Sequence, residues 1–282
     1  MNQLRTFLLM AILTVVVVFL GGVIAGEQGL IYALVIAVAM NFFSYWFSDR
    51  LAISMTRSRP LPEKVAPKVY QALRELTHSA GMPMPKVYLM PTEQPNAFAT
   101  GRNPEQAVIA VTSGLMNLLD YEELKGVLAH ELAHIRNRDI LIGSIAAVMA
   151  GALMFISRMG MWGMAFGGGR RQNEGGAALA VIRLLALVLA PLAALIIRMA
   201  ISRTREYGAD ATGARISGNS RGLASALTKM DSYARRRPLK ELNEAVSHMF
   251  IVNPLSAEGL TTLFSTHPPI RERVARLHRM EF

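Results

Sequence analysis

Two uncharged stretches constrain this chain before any motif is considered. Phe7 to Ala25 and Gly29 to Phe47 are each nineteen residues long, and as helices each would extend about 28 Å, close to the thickness of a bilayer's hydrocarbon core. Only Gly26-Glu27-Gln28 separates them, which predicts a tight transmembrane hairpin. A secretory signal is the alternative, because Val23-Ile24-Ala25 resembles a small-residue cleavage site and Arg5 supplies a positive start. Under either arrangement the basic flank of Arg50, Arg57, Arg59 and Lys64 is expected in the cytosol. A hydrophobic content of 52% and a mean hydropathy of +0.30 agree with a membrane protein. The net charge of +10 lies beside apolar runs, so it points to the lipid bilayer and argues against a nucleic-acid partner.

Beyond the hairpin, assigned to residues 1–59, the stretch from Pro60 to Lys68 reads as a proline-punctuated basic linker. Val65 to Ala80 then predicts an amphipathic helix ended by Gly81 and the prolines at 83 and 85. Lys86 to Met90, Asn96 to Thr100 and Ala107 to Thr112 are β-type runs separated by Pro- and Gly-bearing turns, which predicts a small sheet. A helix follows from Leu115 through Asp120, with Glu122 and Glu123 near its N-terminus, where the helix dipole favours them. This first half of a soluble unit covers residues 60–139.

Residues 140–201 form a second hydrophobic pair, Ile140 to Ile156 and Ala177 to Ile201, joined by a glycine-rich stretch. Arg158, Arg170 and Arg171 in that connection would be external if both segments span, against the usual charge bias. Helices embedded in the membrane or buried in protein are the alternative. Residues 202–282 complete the soluble unit, so the expected fold is a mainly α membrane protein with an α+β domain.

The chemistry is carried by Val127-Leu128-Ala129-His130-Glu131-Leu132-Ala133-His134-Ile135. Histidines four residues apart share one helix face and can converge on a single cation. Glu131 lies about 100° further round the helix, where a carboxylate can take a proton from water at the metal. An exposed helix carrying two unrelated histidines is the competing explanation. Against it, Leu124, Val127, Leu128, Leu132 and Ile135 form an apolar stripe that would bury the helix, and buried histidines need partners. With no cysteine in the chain, a metal must be held by nitrogen and oxygen.

A catalytic zinc takes three protein ligands and keeps one position open. Glu206 and Asp210 are also one helical turn apart, so Glu206 could supply the third ligand while Asp210 accepts the free N–H of a ligand histidine. A solvated Arg/Glu/Asp face would give the same pattern. If Glu206 does share a metal with His130 and His134, the chain between 140 and 201 must return to the side of the bilayer it left. Two spans, or none, satisfy that condition.

Taken together, His130-Glu131-Leu132-Ala133-His134, the hydrophobic pair and Arg205-Glu206-Tyr207-Gly208-Ala209-Asp210 resemble the HtpX heat-shock membrane proteases, relatives of the CAAX prenyl proteases. The resemblance extends to the hairpin, to Asn96-Ala97-Phe98-Ala99-Thr100-Gly101 and to Thr266-His267-Pro268-Pro269. It implies a gluzincin-like domain facing the cytoplasm from a multi-pass protein of the inner (plasma) membrane. The implied activity is degradation of misfolded or damaged membrane proteins, with other membrane quality-control proteases as possible partners. His130, His134 and Glu206 become the ligands of one Zn2+ per subunit, Glu131 the base and Asp210 their support.

The oxyanion donor is expected from His267, with Tyr207 as second candidate, though His267 could equally be a turn residue. Asn137 could face the site or simply lie on the helix surface. Residues Asn96 to Gly101 would offer a strand edge to an extended substrate, or form an ordinary buried strand around Phe98. Arg271, Arg273, Arg276 and Arg279 read as a solvated face of a helix begun by proline, with contact to anionic lipid as the alternative. The rival functions are a prenyl-type protease and a scaffold with structural zinc, and a base beside the ligands has no use in the latter.

Overall fold

The structure, a computed structural model, describes residues 2–145, 203–237, 250–251 and 268–280. Helix α1 (Asn2–Trp46) takes in both apolar stretches. Gly26 within it has φ 60, and the Asn41 side chain donates to Thr14 Oγ1 at 2.7 Å across 27 residues. A straight helix would hold those residues about 40 Å apart. Gly21 lies against Ala33, so close that a Cβ on it would come 2.3 Å from the alanine's. Among the described residues, Gly26–Trp46 is the one helical stretch long and apolar enough to cross a membrane.

Helix α2 (Ser48–Met55) follows almost without a break. The stretch read as a linker contributes strand β1 (Arg59–Pro60), and Leu61 is buried beside it. Proline is tolerated in this edge strand because no ladder partner on its outer side needs an N–H. Helix α3 (Pro67–Ala80) starts at a proline and ends at Gly81, whose φ of 63 closes the helix in the left-handed conformation. Strands β2 (Lys86–Met90), β3 (Ala97–Thr100) and β4 (Val108–Thr112) occupy the three β-type runs.

The sheet order is β1-β2-β4-β3, with β2 and β4 parallel and the outer strands antiparallel to their neighbours. Period-2 alternation divides its faces. Val87, Ala97, Ile109 and Val111 enter the main core with Leu73, Leu76, Leu128 and Leu132. Phe98, Ala110 and Met90 face the other way, where Ile53 of α2 and Phe250 cover them. β3 therefore lies at a sheet edge with Ala97 and Phe98 buried.

The single helix expected from Leu115 is two, α4 (Ser113–Leu118) and α5 (Tyr121–Arg136). Leu119 and Asp120 are extended between them, because the Asp120 side chain caps the second helix. Asp120 accepts from the Glu123 N–H, and Glu123 returns the bond to the Asp120 N–H, each at 3.0 Å, in a capping box. Glu123 also accepts from Ser225 and Lys229 of helix α7 (Ser220–Arg236). Helix α6 (Arg203–Ser217) and helix α8 (Ile270–His278) complete the described set. The helical stretch at 140–145 is buried apart from residue 143, and the rest of the second hydrophobic pair lies outside the described residues.

Asp120→Ala removes the cap that starts α5. We expect a loss of about 1 kcal/mol, read as a lower melting temperature of the detergent-solubilised protein.

Candidate metal centre

Helix α5 is buried along most of its length, which fixes where its polar residues point. His130 is 1% exposed and Glu131 4%. Helix α6 crosses directly over α5, because Gly213 presents no side chain there. A Cβ on it would stand 2.9 Å from the Ala129 carbon and the His130 nitrogen. That backbone contact brings Asp210 and Glu206, about one and two turns earlier on α6, down onto the histidines.

The ligand atoms of His130, His134 and Glu206 all lie within 4.8 Å of one another. The two Nε2 atoms are 3.2 Å apart. Glu206 Oε2 is 3.8 Å from His130 Nε2, and Oε1 is 3.6 Å from His134 Nε2. Each ring turns its other nitrogen to a carboxylate: His130 Nδ1 to Asp210 Oδ1 at 2.9 Å, and His134 Nδ1 to Asp139 Oδ2 at 3.2 Å. These second bonds fix the rings with their Nε2 atoms facing the shared space.

The profile of peptidase family M48 matches residues 63–281. The chain belongs to peptidase family M48. A protease HtpX homolog from Pelotomaculum thermopropionicum is 57% identical over 280 residues, covering 99% of both chains. One from Pyrococcus furiosus is 51% identical over 276 residues, covering 98% of this chain and 95% of its own. Among solved structures, Ste24p from S. mikatae superposes with a TM-score of 0.51 at 17% identity, covering 94% of this chain and 62% of that one. At that identity the likeness concerns the fold.

Membership of M48 makes the chain a zinc metallopeptidase, and its residues fit the ion. Ligands bonded tetrahedrally to zinc at about 2.0–2.1 Å stand about 3.3 Å apart. The 3.2 Å between the two Nε2 atoms is close to that edge length, and each has one Glu206 oxygen at 3.8 or 3.6 Å, Oε2 for His130 and Oε1 for His134. Electrostatics point the same way. Burial pushes the His130 imidazole below its ordinary pKa. Burial acts on His134 too, but the bond from Asp139 and the charges of Glu206 and Glu131 outweigh it and raise its pKa to about 9. A cation is wanted where the rings meet, and a proton on His134 supplies it when no metal does.

The sequence did not single out two members of the centre. Arg273 of α8, expected on a solvated face, is 0% exposed. Its Nε and Nη2 donate to the two Asp210 oxygens at 2.9 and 2.7 Å. Burial alone would raise the pKa of Asp210, but Arg273 and His130 hold its carboxyl well below the usual range. The available signal was Leu277, one turn after Arg273 and fully buried: both stand on one face of α8. Asp139 is the other residue missed. Arg138 at φ 57 turns the chain after α5 so that Asp139 returns to His134.

Other expectations resolve differently. Asn137 is the C-cap of α5, its N–H bonded to Ala133 O. Tyr207 is not poised as an oxyanion donor, since its hydroxyl donates to Glu272 at 2.6 Å beneath the Arg276 guanidinium. His267 lies outside the described residues. Asn96 is buried, and its Oδ1 accepts from the Ile251 N–H, tying that segment to the sheet. Ala97 to Thr100 form β3, which packs beside α5, and Gly101 follows at φ 131.

Gly213→Ala should separate α6 from α5, and we expect at least a tenfold weaker zinc affinity with about 1–3 kcal/mol of lost stability, measured by chelator competition and thermal melting. Zinc uptake near pH 7.5 should release a proton from His134. Because the pKa of about 9 belongs to the metal-free chain, apparent affinity should rise roughly tenfold per pH unit towards that value and then level. Calorimetry in buffers of different ionisation enthalpy counts the proton.

Proposed function

We propose that this chain is a membrane-anchored zinc endopeptidase that hydrolyses misfolded or damaged membrane proteins from the cytoplasmic side. The observation that carries the reading is the convergence of His130, His134 and Glu206, with Glu131 buried on the same helix. The apolar stretch Gly26–Trp46 and the HtpX names of the relatives support the membrane assignment. In this reading residues 1–59 form a transmembrane hairpin, which the Asn41–Thr14 bond supports. Residues 60–139 and 202–282 form the peptidase, and 140–201 a second hydrophobic pair that makes the protein multi-pass.

Zinc held by His130, His134 and Glu206 would polarise the scissile carbonyl and bring the pKa of attacking water down to about 7. Glu131 accepts the proton from that water and returns it to the leaving amine. Its own carboxylate must be ionised for the first step. Asp210 and Asp139 keep both imidazoles turned with Nε2 towards the substrate side. Arg273 neutralises Asp210, so Asp210 stays an acceptor and does not draw the His130 proton to itself.

The substrate's main chain would run along the edge of β3, residues 96–101, where hydrogen bonds to the backbone require no particular sequence. Such recognition suits unfolded segments of many proteins. His267, in the Thr266-His267-Pro268-Pro269 sequence, is the proposed oxyanion donor.

Glu131→Gln should keep bound zinc and lower the turnover of casein in detergent by about 10^3-fold. Zinc content falling together with activity would make Glu131 a ligand, and undiminished turnover would overturn the mechanism.

A further inference from the structure

The end of the apolar stretch meets the sheet domain at a cavity of about 730 Å³ that lies outside the metal centre. Phe42 and Trp46 form one wall and remain 54% and 46% exposed. Three cations join them in the lining. Arg50 comes from α2, Lys86 from the first position of β2, and Arg102 from the turn after β3. Three elements distant in sequence therefore deliver one positive charge each to the same space.

Arg102 stands 4.4 Å over the Trp46 ring, and Arg50 lies 5.6 Å from the Phe47 ring. Among the described residues, neither arginine nor Lys86 forms an ion pair. Asp49 and Glu105 also line the cavity, which leaves a net charge of +1 from three cations and two carboxylates.

Aromatic rings at the end of an apolar helix mark the depth where a bilayer's hydrocarbon gives way to headgroups. Unpaired cations at that depth face phosphate rather than water alone. The aromatic wall continues into the exposed apolar surface of the helix, where Ile31, Val35 and Val38 are 58%, 64% and 58% exposed. Acyl chains can follow that surface while the headgroup occupies the cavity.

We infer that this cavity binds the phosphate headgroup of an anionic phospholipid, with Arg50, Lys86 and Arg102 on the phosphate and Trp46 beside the acyl chains. The inference rests on the membrane reading given above, because a free anion would have no use for the aromatic wall. A lipid seated there would bridge the apolar helix and the sheet, and so fix the angle at which the peptidase unit meets the bilayer.

The test uses the full chain in neutral detergent, with phosphatidylglycerol or phosphatidylcholine of the same acyl chains added as the probe. Native mass spectrometry counts retained lipid. We expect phosphatidylglycerol to be retained in preference to phosphatidylcholine, and the double variant Arg50→Gln, Arg102→Gln to bind it roughly 30-fold more weakly. Zinc content and the melting temperature in phosphatidylcholine should be unchanged in that variant, which separates lost binding from lost folding. Equal retention of both lipids, or undiminished binding by the variant, would overturn the inference. Phosphatidylglycerol held no more tightly than inorganic phosphate would assign the cavity to a free anion and overturn it as well. Alkaline extraction of native membranes reports separately: release of the chain overturns the membrane reading, whereas a chain that stays in the membrane without lipid preference overturns only the cavity's assignment.

Discussion

The ion pair between Arg273 and Asp210 is the interaction on which the centre depends. Taking a guanidinium to 0% exposure costs several kcal/mol unless its partners are close and well directed. Here two bonds of 2.9 and 2.7 Å meet that cost. They also join three helices, since Asp210 stands on α6, bonds His130 on α5 and receives Arg273 from α8. The histidines sit among the carboxylates of Glu131, Asp139, Glu206 and Asp210, and without the arginine that cluster would repel itself even around a divalent ion.

Gly213 supplies the second requirement, a steric one. Metal ligands must agree to within tenths of an ångström, and such agreement cannot come from long side chains reaching across a gap. The two helix backbones touch at Ala129 and His130, so the short reach of a glutamate suffices. Gly126, about one turn earlier on the same face of α5, does the same against Leu223 of α7, where a Cβ would come 2.5 Å from the leucine nitrogen. The helix carrying the histidines is therefore met by α6 and α7 at points where the sequence offers only hydrogen.

What the sequence could show followed from periodicity. His130 with His134, and Glu206 with Asp210, are legible because four residues make about one helical turn, and the inward β positions are legible because strands alternate. The boundary between α4 and α5 was hidden because Leu115 to Leu118 continue an apolar pattern that only the Asp120 cap interrupts. β1 was hidden because two residues, one of them proline, carry no strand signal of their own. Arg273 was hidden among arginines at 271, 276 and 279, where composition cannot tell the inward one from its neighbours. Asp139 was hidden because a left-handed turn at Arg138, not a helical repeat, returns it to His134.

The Arg273–His130 contact spans 143 residues. A chain still being synthesised carries both histidines and Glu206 well before the guanidinium that steadies Asp210. Until α8 emerges and docks, the cleft has ligands without a settled charge balance. Translation thus imposes an order of assembly in which the hydrolytic unit ripens late, after the apolar helix has had time to reach the bilayer.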